Sequence, residues 1–256
     1  MLENDTTQKN IHYVWVGNNK KNKTVKKYIN SWKRYFPGYN IIEWNEQNFD
    51  INSVKYVKEA YESKKYAFVS DYIRLYALYN YGGIYFDTDV EVIKNFEHLL
   101  EKEKDIYGFE LENKVMTGVM IGRKHSNIIK EFMNYYNDRS FIKINGEYDL
   151  TPNTNILTEI LYKRGIELNN KLQIKEEFNI YPIEYFTGFD LKNSSQYNTE
   201  NTVTIHHYSY SWAPKRVRFL ARCKKILAKI LGRKIYEKIR KIKKKGFEKK
   251  YENKKK

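Results

Sequence analysis

A single cysteine, Cys223, stands in the 256 residues, so no disulfide framework and no cysteine-type zinc site can form. The lone thiol fits a reducing compartment. No run of ~18 apolar residues exists, which leaves nothing to span a bilayer as a helix. The opening residues Met1-Leu2-Glu3-Asn4-Asp5 are polar and acidic and lack the apolar stretch of a secretory leader. There is no Gly-x-Gly-x-x-Gly and no phosphate loop of the Walker type, and no serine, cysteine or histidine nucleophile motif. Disorder is excluded too. With 41% hydrophobic and 16% aromatic residues, 24 of them tyrosine, the chain can bury a sizeable core.

Acidic residues are scarce at one end only. From Ala213 to Lys256 there are 20 Lys and Arg against 3 acids, a net +17, so residues 1–212 hold −1 of the total +16. A basic total of this size first suggests nucleic acid. Its confinement to the end argues instead for a neutral globular domain, residues 1–212, followed by a basic tail, residues 213–256. In the tail Leu220, Cys223, Leu227 and Ile230 or Leu231 recur at helical spacing, and after Gly232 so do Ile235, Ile239 and Ile242. This predicts a basic amphipathic helix broken at Gly232, suited to an anionic membrane surface. A merely solvated charge run would not need the apolar stripe.

Along the body, residues 11–17 read as a buried strand, 24–35 as a helix stopped by Pro37-Gly38, and Asn40–Trp44 as a second strand. A helix over 54–62 follows. A further helix carries Phe68 to Tyr79, with Ser70 or Asp71 near its start and Gly82 as the left-handed residue that ends it. One strand is then expected from Ile84 to Val92, with Tyr85, Asp87 and Asp89 on one face. Helices over 96–103, 127–136 and from Thr151-Pro152 through Tyr162, with strands near 106–109, 115–121, 180–183 and 202–206, complete the pattern. The alternation predicts an α/β layer fold with a largely parallel sheet.

Several residues could carry chemistry. Asp87 and Asp89, two apart near a strand's carboxyl end, could form an oxygen site for Mn²⁺ or Mg²⁺; taken alone, Asp-x-Asp is more often a solvated turn, but here it ends a buried aromatic strand after Gly82-Gly83. Asp71 and Arg74, three apart on a helix, are either an ion pair of a few tenths of a kcal/mol or a pair that recognises sugar and phosphate oxygens. Trp15 is by default a core residue, or a platform for a nucleobase, and His12 belongs to the core. In the run His206-His207-Tyr208-Ser209-Tyr210-Ser211-Trp212, either histidine could complete a metal site, and Ser211 and Trp212 could close over a ligand.

In order, residues 11–17, 37–45, 70–74, 82–89 and 206–212 resemble the Asp-x-Asp sugar-binding glycosyltransferases of carbohydrate-enzyme family 32. That group is often of the capsular polysaccharide synthesis type and related to fungal initiating mannosyltransferases and to clostridial glucosylating toxin domains. The resemblance covers about residues 11–212. It implies a GT-A type nucleotide-sugar-binding fold, a nucleotide-sugar donor (a UDP-sugar favoured), Mn²⁺ or Mg²⁺, and transfer with retention of configuration. It puts Asp87, Asp89 and His206 at the metal, Asp71 and Arg74 on the donor sugar, Trp15 on the base, and Ser211 and Trp212 near the leaving phosphate, with Asp71, Arg74 and Asp89 catalytic. The resulting expectation is a bacterial enzyme of capsule, exopolysaccharide or lipid-linked glycan assembly, peripheral on the cytoplasmic face of the membrane, with a glycan or lipid-linked acceptor and no nucleic acid. The rivals are a toxin-like transferase acting on a protein, a nucleic-acid binder using the tail, and a non-catalytic sugar binder.

Overall fold

The computed structural model describes residues 9–101, 103–190, 194–209, 213, 215–232 and 235–239. They divide into two compact units, Met1–Gly188 with Thr199–Tyr208, and Phe189–Asn198 with Ser209–Lys256.

The first unit begins with β1 (Asn10–Val14), α1 (Lys23–Tyr35), β2 (Asn40–Trp44), α2 (Lys55–Glu62) and α3 (Tyr66–Tyr81). Then come β3 (Gly83–Phe86), β4 (Val90–Val92), a 3₁₀ turn (Glu97–Leu99), β5 (Asp105–Leu111), β6 (Lys114–Val115) and β7 (Val119–Gly122). After α4 (Asn127–Asn137) and α5 (Asn153–Lys163) follow β8 (Gln173–Ile174), β9 (Phe178–Tyr181) and α6 (Ile183–Phe186). The second unit holds the hairpin β10 (Phe189–Asp190) and β11 (Ser195–Gln196); the chain returns to the first for β12 (Thr204–His206), and α7 (Lys215–Leu231) follows in the second.

The main sheet has the order β2-β1-β3-β7-β5-β9-β8, with β6 on β5. Only β1–β2, β1–β3 and β5–β9 are parallel; β7 runs antiparallel to both its neighbours. The sheet is therefore mixed, not largely parallel. Continuous burial usually marks parallel strands, but all of β7 is buried while antiparallel, because helices cover both faces of the sheet. Ile84, Phe86, Val119 and Ile121 join Trp32 of α1 and Phe96 on one side. Tyr85, Met120 and Tyr107 join α2, α3, α4 and α5 on the other.

Three local expectations change. The run from Ile84 to Val92 is not one strand: β3 lies in the main sheet and β4 pairs with β12, with a turn between. The expected helix over 96–103 shrinks to the 3₁₀ turn, opened when Asn95 Oδ1 accepts from the Glu97 N–H, while Leu99 and Leu100 pack back on the core. Helix α3 starts at Tyr66, four residues earlier than Ser70. It is apolar nearly all round and buries nine of its residues. It ends at Gly82, φ 61°, and Gly83 follows at φ 109°. A Cβ on Gly83 would lie 2.4 Å from the Asn10 carbonyl, so the close approach of β3 to β1 requires a bare α-carbon there.

In the second unit α7 carries seven Lys and Arg and no acid. Phe219, Leu220, Ile226, Leu227 and Ile230 are exposed along it, and it ends at Gly232, φ 74°. Ile242 lies outside the described residues. No helix among the described residues is long and apolar enough to cross a membrane.

Candidate active site

The site gathers at the carboxyl ends of β1 and β3, adjacent parallel strands, where open α/β sheets bind ligands. Asp87 and Asp89 stand in the turn between β3 and β4, which is closed by the Val90 N–H donating to the Asp87 carbonyl at 2.9 Å. The Asp87 N–H in turn donates to the Gly118 carbonyl at 2.8 Å. Strand pleating therefore does not align the two carboxylates, as sequence alternation had suggested; the tight turn does.

Pairing of β12 with β4 sets His206 opposite Val90. His206 Nε2 lies 3.1 Å from Asp89 Oδ1. His207 projects to the other side, as neighbours on a strand do. There it stacks on Tyr28 at 4.6 Å, and its Nε2 meets Glu91 Oε2 at 2.9 Å. Of the two histidines, His206 is thus the one beside the acids. Asp87, Asp89 and His206 each offer a ligand atom within 4.8 Å of the others.

This trio fits a divalent cation on three grounds. Two carboxylates and an imidazole form a suitable donor set. The buried Nδ1 of His206 has no hydrogen-bond partner among the described residues. Gly118 leaves bare space at the cluster: a Cβ there would lie 2.7 Å from His206 Cε1 and 3.0 Å from Asp87 Oδ2. Burial alone would keep the imidazole neutral, but Asp89, with Asp87 and Glu110, raises its pKa above the ordinary value. Tyr208 stacks on His206 at 4.0 Å.

Asp71 and Arg74 form their ion pair at 2.9 Å, and both are buried, so this is no solvated surface pair. Asp71 Oδ1 also accepts from Asn153 Nδ2 at 2.6 Å, and Asn153 Oδ1 accepts from Thr117 Oγ1 at 2.8 Å. Burial pushes the Asp71 carboxyl up to about 7, against the pull of Arg74 and with a further push from Asp87. Arg74 Nη1 reaches Thr117 O at 2.7 Å and Asp87 Oδ1 at 3.3 Å. Burial opposes the charge of Arg74, and Asp87, Tyr85 and Asp71 outweigh it and hold the guanidinium protonated.

Trp15 is half-buried just beyond β1. Its indole N–H donates to the Asn19 carbonyl at 2.6 Å, and Lys21 Nζ lies 5.6 Å from its ring. His12 is fully buried, as expected, accepting from Trp44 Nε1 at 3.2 Å and facing the Gly82 carbonyl at 2.8 Å. Ser211 and Trp212 lie outside the described residues. Sequence reasoning missed Tyr85, Thr117, Gly118 and Asn153. Tyr85 lies in the 82–89 run but was given no role there; the other three belong to no motif, and only the glycine beside a strand hinted at a close approach.

Residues 22–105 match the family described as glycosyltransferase sugar-binding region containing DXD motif. The matched segment is about a third of the chain and contains Asp71, Arg74, Asp87 and Asp89. Its Asp-x-Asp turn stands at the end of a strand in a mixed α/β sheet. An uncharacterized protein of Arabidopsis thaliana is 29% identical to this chain over 134 residues, half of this chain and 19% of that protein, so the chain spans about a fifth of that relative. Among solved structures, the PaToxG glycosyltransferase superposes with a TM-score of 0.44 at 18% identity, over 61% of this chain and 68% of that one. A glycosyltransferase involved in the glycosylation of the major capsid of PBCV-1 gives 0.46 at 12% identity, over 84% and 98%.

Proposed function

We propose that the protein transfers a sugar, with retention of configuration, from a nucleotide-sugar donor to a glycan acceptor of capsular, exopolysaccharide or lipid-linked glycan assembly in a bacterium. The observation that carries this reading is the convergence of Asp87, Asp89 and His206 within 4.8 Å, the two acids lying in the segment that matches a DXD sugar-binding region. These three residues would hold Mn²⁺ or Mg²⁺. Bound there, the ion would supply Lewis-acid neutralisation of a leaving nucleoside diphosphate. Asp71 would accept hydrogen bonds from donor-sugar hydroxyls, with Arg74 beside it. Trp15 would offer a face to the nucleobase, a UDP-sugar being favoured, and Ser211 and Trp212 would meet the phosphates. The site then works by positioning and by fixed charge. Retention and the acceptor class follow from the family resemblance.

The same reading puts the enzyme at the cytoplasmic surface of the membrane, through the seven cations and exposed apolar residues of α7. A basic helix with an apolar stripe suits an anionic bilayer better than nucleic acid.

The test is a donor-hydrolysis screen over UDP- and GDP-sugars with Mn²⁺. Release of nucleoside diphosphate from one donor, abolished by excess EDTA, is expected. No hydrolysis of any donor, or full activity in EDTA, would overturn the reading.

A further inference from the structure

Arginine has five N–H donors, and those of Arg74 are met within the protein. Nε donates to Ser70 O at 3.2 Å, Nη1 to Thr117 O at 2.7 Å, and Nη2 to Ser70 Oγ at 3.2 Å and Asp71 Oδ1 at 2.9 Å. Nη1 also faces Asp87 Oδ1 at 3.3 Å. The Tyr85 ring covers one side of the guanidinium at 4.7 Å, and the residue is 3% exposed. A donor oxygen could reach this group only by displacing one of those contacts.

The two acids that Arg74 touches have separate tasks. Asp87 Oδ1 takes both the Tyr85 hydroxyl, at 2.9 Å, and Arg74. Its other oxygen, Oδ2, lies beside the bare face of Gly118, next to the edge of His206. Asp71 Oδ1 takes Arg74 together with Asn153. One planar cation thus occupies a single oxygen on each acid and sets the distance between them.

We infer that Arg74 is a positioning residue, a buried strut that with Tyr85 turns Asp87 Oδ2 toward the metal cluster and ties it to Asp71. A lysine cannot replace it, because one ammonium cannot span two carboxylates and two carbonyls in a fixed plane. The inference rests on the metal-dependent reading proposed above.

The test measures Mn²⁺ affinity without any nucleotide, by electron paramagnetic resonance of free Mn²⁺, for wild type, Arg74→Lys and Tyr85→Phe. Unfolding curves give the folded fraction of each. A strut requires the Mn²⁺ Kd to rise in both variants by roughly 10-fold or more, the usual cost of removing a group that orients a metal ligand. If both variants bind Mn²⁺ like wild type, while Arg74→Lys raises KM for the donor, Arg74 contacts substrate and the strut is refuted. Should Arg74→Lys fail to fold, Tyr85→Phe decides alone, since it keeps the ring under the guanidinium and loses only the hydroxyl; an unchanged Kd there also refutes the inference. If wild type itself binds no Mn²⁺, the metal-dependent reading falls and the strut with it, an outcome distinct from normal wild-type binding with unaltered variants.

Discussion

Asn153 Nδ2 sits 2.6 Å from Asp71 Oδ1, joining the first residue of α5 to the second turn of α3 across 82 residues of chain. Thr117 donates to the amide oxygen of Asn153, which fixes the NH₂ toward Asp71. Asn153→Ala removes one of two donors to a buried carboxylate, at a cost of about 1–3 kcal/mol. Asn153→Asp sets a second buried carboxyl against the first and should reduce donor hydrolysis further than alanine does. Urea unfolding and hydrolysis rates of the two variants check the order; equal activity of Asp and wild type would contradict it.

At the metal cluster, Asp87→Asn and Asp89→Asn are each expected to reduce transfer by ~100-fold or more with the fold intact, since each removes charge at the developing diphosphate. His206→Ala should weaken Mn²⁺ binding and His207→Ala should not, because His207 is turned to Glu91 and Tyr28. Gly118→Ala should act like the loss of a ligand, its methyl filling the space between Asp87 Oδ2 and His206. Calorimetric Mn²⁺ titrations of the three single variants separate these outcomes.

His12 gives a pH-dependent stability. Burial lowers its pKa from 6.5 to about 4, against the bond to the Gly82 carbonyl. Between pH 6.5 and 4 the unfolded chain binds the proton that the folded chain refuses. The contribution is therefore present above pH 6.5 and is lost as pH falls through that window, on the order of 3 kcal/mol in all. His12→Gln keeps a donor for the Gly82 carbonyl without titrating. Urea midpoints from pH 7 to 4.5 should fall less steeply for that variant, and parallel slopes would show that other groups set the dependence.

Trp15 combines two tasks that substitution can separate. Trp15→Phe keeps a ring to stack on and loses the bond to the Asn19 carbonyl; Trp15→Ala loses both. If the ring carries a nucleobase, alanine weakens nucleotide binding by ~1–3 kcal/mol and phenylalanine restores most of it. Calorimetry in which both variants bind like wild type would return Trp15 to a purely structural part.

Phe219, Ile226 and Ile230 are 65%, 58% and 75% exposed and fall on one side of α7 by their spacing of seven and four. Replacing all three with serine retains every cation of the helix. Sedimentation with anionic vesicles should drop sharply in the variant and in wild type at high salt, since burial and charge act together. Undiminished binding by the triple variant at low salt would mean that charge alone suffices and the apolar stripe is idle.

The sequence by itself determined what depends on near neighbours. The runs that became β1, β2, α1, α4 and α5 were legible in apolar spacing and stop residues, as were Asp71, Arg74, Asp87, Asp89, a histidine among 206 and 207, and the separation of a neutral body from a basic end. Tertiary structure decided the rest. Burial periodicity reports which side chains face inward, not which way the next strand runs, so β7 could be recognised as buried but not as antiparallel. It also could not show that the stretch 84–92 leaves one sheet at Phe86 to join another at Val90, and that step alone sets Asp89 against His206 through the pairing of β4 with β12. Asn153 and Thr117 carry no local signal, and Gly118 only that of a glycine beside a strand, because their parts consist of meeting Asp71, Arg74 and Asp87 through space. Such contacts exist only once the sheet order has brought distant segments to the same strand ends.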